Sequence, residues 1–163
     1  MDRIFGNVTP NKYPLRQTLL DEYGVADKRI KKVEKATYFR VDSCQGYDGA
    51  DGQPLSHVCT IFVDATDEST IKVSLNRNVP MSETVSGWTF QNEGHYNGLQ
   101  WPYTRLECSV KKGQQHILLT LAQSIQDIVK PGRQYNTPSY KYSCPRTAGA
   151  LEHLKLILDK AWG

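Results

Sequence analysis

Long hydrophobic runs are missing from this chain: stretches such as Ile117–Leu119 and Leu156–Leu158 fall far short of the ~20 apolar residues a membrane helix requires. No basic segment followed by an apolar stretch opens it, because Asp2 and Arg3 lead into mixed sequence. Neither a membrane partner nor signal-peptide secretion is therefore expected, and the expected location is virion or cytoplasm. Nucleotide-cradling and hydrolase signatures are also missing, with no G-x-x-x-x-G-K-[ST], G-x-G-x-x-G, G-x-S-x-G or H-E-x-x-H. Cys44, Cys59, Cys108 and Cys144 contain no C-x-x-C pair. His57, two residues before Cys59, is only a single adjacent pair of donors, so no metal site is expected. A Cys44–Cys59 disulfide requires the two to face each other across the base of a hairpin loop, a separation that spacing does not give. Without an export signal, reduced and mostly buried thiols are expected. His57, His95, His116 and His153 are scattered, and Asp48 and Asp51 lack the ligand order of a calcium loop ending in Glu. No catalysis and no cofactor are expected. An enzyme would need a site assembled from non-local residues.

What is present is apolar material for a core and a segregated charge pattern. With 163 residues, 39% of them hydrophobic and 23% charged, the chain reads as a single domain over 1–163 and not as a disordered segment. Between Lys28 and Arg40 stand six basic residues and one acid, Glu34, whereas Val41–Thr70 holds six acids and no base. Past Lys130 the sign turns again, with Arg133, Lys141, Arg146, Lys155 and Lys160 against Glu152 and Asp159. Charge sorted in this way gives sided surfaces, one of them attractive to polyanions. A solvated basic turn accounts equally well for Lys28–Arg40.

Periodicity places the elements. Residues 13–23 fit a short helix with Pro14 in its first turn and Gly24 as its stop. Extended structure begins between Ile30 and Ala36. In Thr37–Asp42, the residues Thr37, Phe39 and Val41 fall on one side and Tyr38, Arg40 and Asp42 on the other. Gln45–Ser56, with Gly46, Gly49, Gly52 and Pro54, is a loop. His57–Ala65 and Thr70–Arg77 are strands joined by a turn at 66–69, and Tyr103–Lys111 is a further strand. Residues 78–101 are irregular. Ile117, Leu118, Leu121, Ala122, Ile125, Ile128 and Val129 form a helical stripe over 113–129. A basic, Tyr-rich linker (131–146) leads to a last helix, about 148–162, bearing Leu151, Leu154, Leu158 and Trp162. These four suit a partner interface or the chain's own core. The fold class expected is α+β: a sheet-rich part (30–111) forming an antiparallel sheet with one polar face, followed by C-terminal amphipathic helices.

If the strands lie side by side, Phe39, Val41, Cys59, Ile61, Val63, Ile71, Val73, Leu75, Leu106, Cys108 and Val110 share an apolar face. The 113–129 helix would cover it, in this chain or in a partner. The opposite face carries Tyr38, Arg40, Thr60, Phe62, Lys72, Ser74, Asn76, Tyr103 and Arg105. Arg and Lys supply phosphate contacts, Tyr and Phe stack on unpaired bases, and Ser, Thr and Asn read base edges. A merely solvated sheet face is the plain alternative, and Glu107 and Asp42 on the same face favour it. A second candidate patch, Arg133, Tyr135, Tyr140, Lys141, Tyr142 and Arg146, interleaves bases with tyrosines. It suits an arm that orders on RNA or in a protein groove, or a surface loop half-buried on the sheet.

The order of extended segments, central hairpin (57–77), long loop, strand (103–111) and amphipathic helix resembles the coat proteins of small single-stranded RNA bacteriophages. The closest local likeness is the strand–turn–helix Thr104–Leu119 (TRLECSVKKGQQHILL). The resemblance covers roughly residues 30–130. It implies a dimer in which helices of one chain cover the sheet of the other and the free face binds an RNA hairpin. Arg40, Lys72, Ser74, Asn76 and Tyr103 would then face RNA, and residues 78–101 would join dimers. The helix at 13–23 and the extension past Lys130 lie outside that pattern. The expectation is a self-associating RNA-binding structural protein of a capsid. A non-structural single-stranded nucleic-acid-binding protein is the first alternative, and an enzyme or a protein–protein adaptor come after it.

Overall fold

The computed structural model describes residues 12–47, 54–77, 89–95, 102–127 and 138–163, with side chains over 12–42, 60–75, 107–127 and 145–163. Helix α1 (Pro14–Tyr23) precedes strands β1 (Tyr38–Tyr47), β2 (Pro54–Asp67), β3 (Thr70–Arg77), β4 (Thr89–His95) and β5 (Pro102–Lys111). Helices α2 (Ile117–Gln126) and α3 (Pro138–Trp162) follow. The strands form one antiparallel sheet in the order β1-β2-β3-β5-β4. The fold is α+β.

Alternation of apolar and polar residues, period two, puts one side of each strand in the core. Phe39, Ile61, Val63, Ala65, Ile71, Val73, Leu75, Cys108 and Val110 are buried, while Arg40, Lys72, Ser109 and Lys111 are exposed. Helix α3 packs on β1 and β2, α1 on α3 and β1, and α2 on α3. Leu118, Leu121, Ala122 and Ile125 of α2 join Leu151, Leu154, Leu158 and Trp162 of α3 in the same cluster. The last helix therefore serves the chain's own core. Over the described residues, the sheet's apolar face is covered by helices of the same chain.

Three hydrogen bonds to Glu68 fasten this arrangement. Tyr13, the residue before α1, supplies no side-chain cap. The cap comes from the β2–β3 turn, where Glu68 accepts the Leu15 N–H at Oε1 (2.8 Å) and the Arg16 N–H at Oε2 (3.2 Å). A carboxylate there satisfies two orphan donors and meets the positive end of the helix dipole. The Glu68 carbonyl in turn accepts the indole N–H of Trp162 at 2.9 Å. One turn residue thus ties down both the first helix and the last.

Several elements differ from the sequence expectation: β1 runs on to Tyr47 and β2 begins at Pro54, both inside the stretch expected to be a loop at 45–56. The expected linker at 131–146 is helical from Pro138 onward, and Pro145 lies inside α3. That proline forfeits a backbone hydrogen bond to the carbonyl four residues earlier, the usual reason to start a helix after it and not before. Residues 113–116 are turns, with Gly113 at a φ of 91°, so α2 starts at Ile117. Finally, β4 forms inside the stretch read as irregular. It is an edge strand, and a short edge needs no apolar alternation to be stable.

Candidate nucleic-acid interface

Register turns the open face into rows. Tyr38, Asp64, Lys72 and Ser109 stand opposite one another across β1, β2, β3 and β5. The next row is Arg40, Phe62, Ser74, Glu107 and Thr89, which extends to β4. Beyond it lie Thr60, Asn76, Arg105 and Gln91. Tyr103 pairs with Gly94 further along β5. The rings of Tyr38 and Phe62 stack with centroids 5.1 Å apart and planes 13° from parallel. The Arg40 guanidinium carbon lies 5.6 Å from the Phe62 ring centroid. Such a cation over a ring face is attractive. Tyr38 is 41% exposed, and Arg40 and Lys72 are exposed beside it.

Two residues assigned to this face do not serve it. Ser74 is only 3% exposed, because its short side chain sits on a central strand between the larger Phe62 and Glu107. It is closed to a base edge. Asp42 belongs to the other side. A bulge between Arg40 and Asp42 shifts the β1 register by one residue, so that Asp42 stands opposite the core residue Ile61. A bulge reverses the facing of every residue after it. Asp42 there meets Arg146 of α3, with Nη2–Oδ1 at 3.1 Å and Nε–Oδ2 at 3.3 Å. One of the two acids that counted against the open face is thereby removed from it.

Of the second candidate patch, Arg146 is the residue with a described side chain. Arg146 is engaged by Asp42 on the helix-covered side. Tyr140, Lys141 and Tyr142 lie in α3 and not in a linker. Arg133 and Tyr135 lie outside the described residues. Arg146→Ala is expected to cost about 1–2 kcal/mol in a denaturation experiment, because Arg146 is half-exposed but Asp42, at 19% exposure, would lose its partner.

A basic neighbour of the stacked rings was absent from the residues chosen by sequence. The bridge Val25↔Phe39 and the hydrogen bond Ala26 N–H to the Tyr38 carbonyl (3.0 Å) pull the 24–37 segment against the start of β1. Between them is a hollow of about 320 Å³ lined by Val25, Asp27, Ile30, Lys35, Ala36 and Tyr38. Lys35 is exposed at its edge, and Lys28, Arg29, Lys31 and Lys32 are exposed on the same segment. The lysine run was the available signal, but its closeness to Tyr38 is a tertiary fact. Arg29 grips Asp27, with Nη2–Oδ2 at 2.9 Å and Nε–Oδ1 at 3.0 Å. These side-chain bonds, helped by the Arg29 backbone N–H, hold the Asp27 carboxyl down to about 2. A depressed acid stabilises the fold above its ordinary range and loses that contribution as pH falls from about 4 to about 2. NMR titration of Arg29→Ala is expected to return Asp27 toward its ordinary range. An unmoved value would assign the depression to another cause.

Along the same row as Tyr38, β2 and β3 make the face less cationic. A second hollow, about 330 Å³, is lined by Asp64, Thr66, Asp67, Thr70, Lys72 and Ser109, so Lys72 has two carboxylates near it. Asp64 Oδ1 accepts the Thr66 hydroxyl at 2.6 Å, and hydrogen bonds from Ser69 lower the Asp67 carboxyl.

Burial pushes the Cys108 thiol up to about 12, which leaves it un-ionised and inert near neutrality. His153 Nε2 lies 3.0 Å from Glu22 Oε2 at the surface between α3 and α1. Among the described residues no three His, Cys, Asp or Glu side chains group as metal ligands, and no helix is long and apolar enough to cross a membrane. Comparison with protein-family models, with curated proteins and with solved structures finds no match.

Proposed function

We propose that the chain is a self-associating RNA-binding structural protein of coat type that takes single-stranded or hairpin RNA on the open face of its sheet. The observation that carries this reading is the stack of exposed Tyr38 on half-buried Phe62, with Arg40 over the Phe62 ring. A ring pair at the surface offers a flat, sequence-tolerant seat for an unpaired base, and a guanidinium beside it meets the adjoining phosphate. The exposed lysines of 28–35 continue the cationic surface past Tyr38 and supply attraction for the strand that leads away from it.

Self-association is tested by size-exclusion chromatography with light scattering, read together with absorbance at 260 and 280 nm. Particles far heavier than the 18.5 kDa chain, carrying nucleic acid, are the expected result. A protein of small mass with a clean protein spectrum would overturn the proposal. One observation favours a second reading, a non-structural single-stranded nucleic-acid-binding protein: the chain's own helices close the apolar face of the sheet, so no partner is needed to bury it. A small particle that retains RNA would select that reading.

A further inference from the structure

The bulge in β1 has a consequence for the cysteines. Arg40 pairs with Phe62, and continued alternation from there would set Cys44 opposite Val58. The shift between Arg40 and Asp42 instead sets Cys44 directly opposite Cys59, with Gln45 opposite Val58. By the alternation that buries Ile61 and Val63, both positions belong to the helix-covered side. Directly opposed residues in an antiparallel pair have Cα atoms about 4.5 or 5.5 Å apart. Both spacings fall inside the window of about 4.4–6.8 Å that disulfides occupy.

We infer that Cys44 and Cys59 are joined by a cross-strand disulfide, in place of the reduced thiols expected from composition. Its formation balances with a small-molecule disulfide such as oxidised glutathione as the oxidant. One cysteine thiolate attacks a glutathione sulfur and expels a glutathione thiolate. The second cysteine thiolate then attacks the mixed disulfide and expels the other. The two protein thiols lose two protons and two electrons, and one oxidised glutathione becomes two reduced. Cys108 is buried on β5 and is not a competing nucleophile.

The bond closes residues 45–58 into a loop at the last regular rungs of the β1–β2 pair, just before the register shifts again between Gln45 and Tyr47. These are the two strands that carry Tyr38, Arg40 and Phe62. A crosslink there restricts the unfolded chain and holds the strand pair in register.

The test uses the full chain equilibrated in a glutathione redox buffer, quenched in acid, alkylated without reductant and mapped by peptide mass spectrometry. The expected result is a Cys44–Cys59 peptide pair lighter by two hydrogens than its reduced form, with Cys108 alkylated only after unfolding. Dithiothreitol is expected to lower the Tm of the natural chain by roughly 6–12 °C. Cys44→Ser, Cys59→Ser and the double variant should all match that lowered value and no longer respond to the reductant. If the serine variants fail to fold, the mass map and the reductant shift of the natural chain decide alone. Alkylation of both cysteines in the oxidised buffer, a crosslink to Cys108 or Cys144, or a retained zinc ion released by chelator would each overturn the inference.

Discussion

Arg16→Met is expected to destabilise the chain by about 3–5 kcal/mol, the cost of breaking one side of a buried charged network. Arg16 is 8% exposed and donates to three backbone carbonyls outside α1. Nε reaches Ala65 O at 3.0 Å, Nη1 reaches Glu34 O at 3.0 Å and Nη2 reaches Thr66 O at 2.6 Å. Glu68 Oε2 lies 3.9 Å from Nε. The guanidinium therefore joins α1, the short turn at Val33–Lys35 and the end of β2, and it balances the carboxylate that caps α1. Methionine keeps most of the aliphatic stem while orphaning all three carbonyls and the Glu68 charge. Lysine would restore a charge but not the planar fork, so Arg16→Lys should recover only part of the loss. Denaturant unfolding at neutral pH measures both. A loss below about 1 kcal/mol for methionine would mean that Leu15 and Leu19 dock α1 unaided.

The second large effect concerns binding. Tyr38→Ala together with Phe62→Ala is expected to weaken single-stranded RNA binding by roughly 10- to 100-fold, at about 1–3 kcal/mol per stacked base. Tyr38 is exposed and Phe62 half-buried, so some stability is lost from the Phe62 site while the fold is kept. Fluorescence anisotropy with a short unstructured RNA reads the affinity, and thermal unfolding reads the stability. Unchanged affinity in a folded variant would leave the stack as a purely local packing of two neighbouring strands.

Why some of this was readable in sequence, and some was not, follows from physics. Ile61–Val63–Ala65, Ile71–Val73–Leu75 and Cys108–Val110 announce themselves because each strand is half-buried, and alternation has no other cause. The α2 stripe is equally direct. The bulge at Val41 leaves no mark in composition, since an extra residue in one strand is a property of the pairing and not of any residue type. Asp42 was consequently placed by a parity that had already reversed. Arg16 in a helix reads as surface, and Glu68 in T-D-E-S reads as turn chemistry. Only the tertiary meeting of the two shows a clamp. Ser74 fails as a site residue for a related reason: alternation gives its side of the sheet, but the size of Phe62 and Glu107 decides whether it is reached. Among the site residues, Tyr38, Arg40 and Lys72 lie on the open face as the alternation requires, and Asn76, Tyr103 and Arg105 hold register positions on it.

The claim that the open sheet face binds RNA through its cations is tested most directly by the salt dependence of binding. Affinity for a single-stranded RNA is measured across a range of salt for the natural chain and for Arg40→Ala with Lys72→Ala and Arg105→Ala. Each phosphate contact on a single strand contributes about 0.7 to the slope of log affinity against log salt. The account predicts weaker binding and a slope shallower by about 2. Equal affinity with an unchanged slope would contradict it.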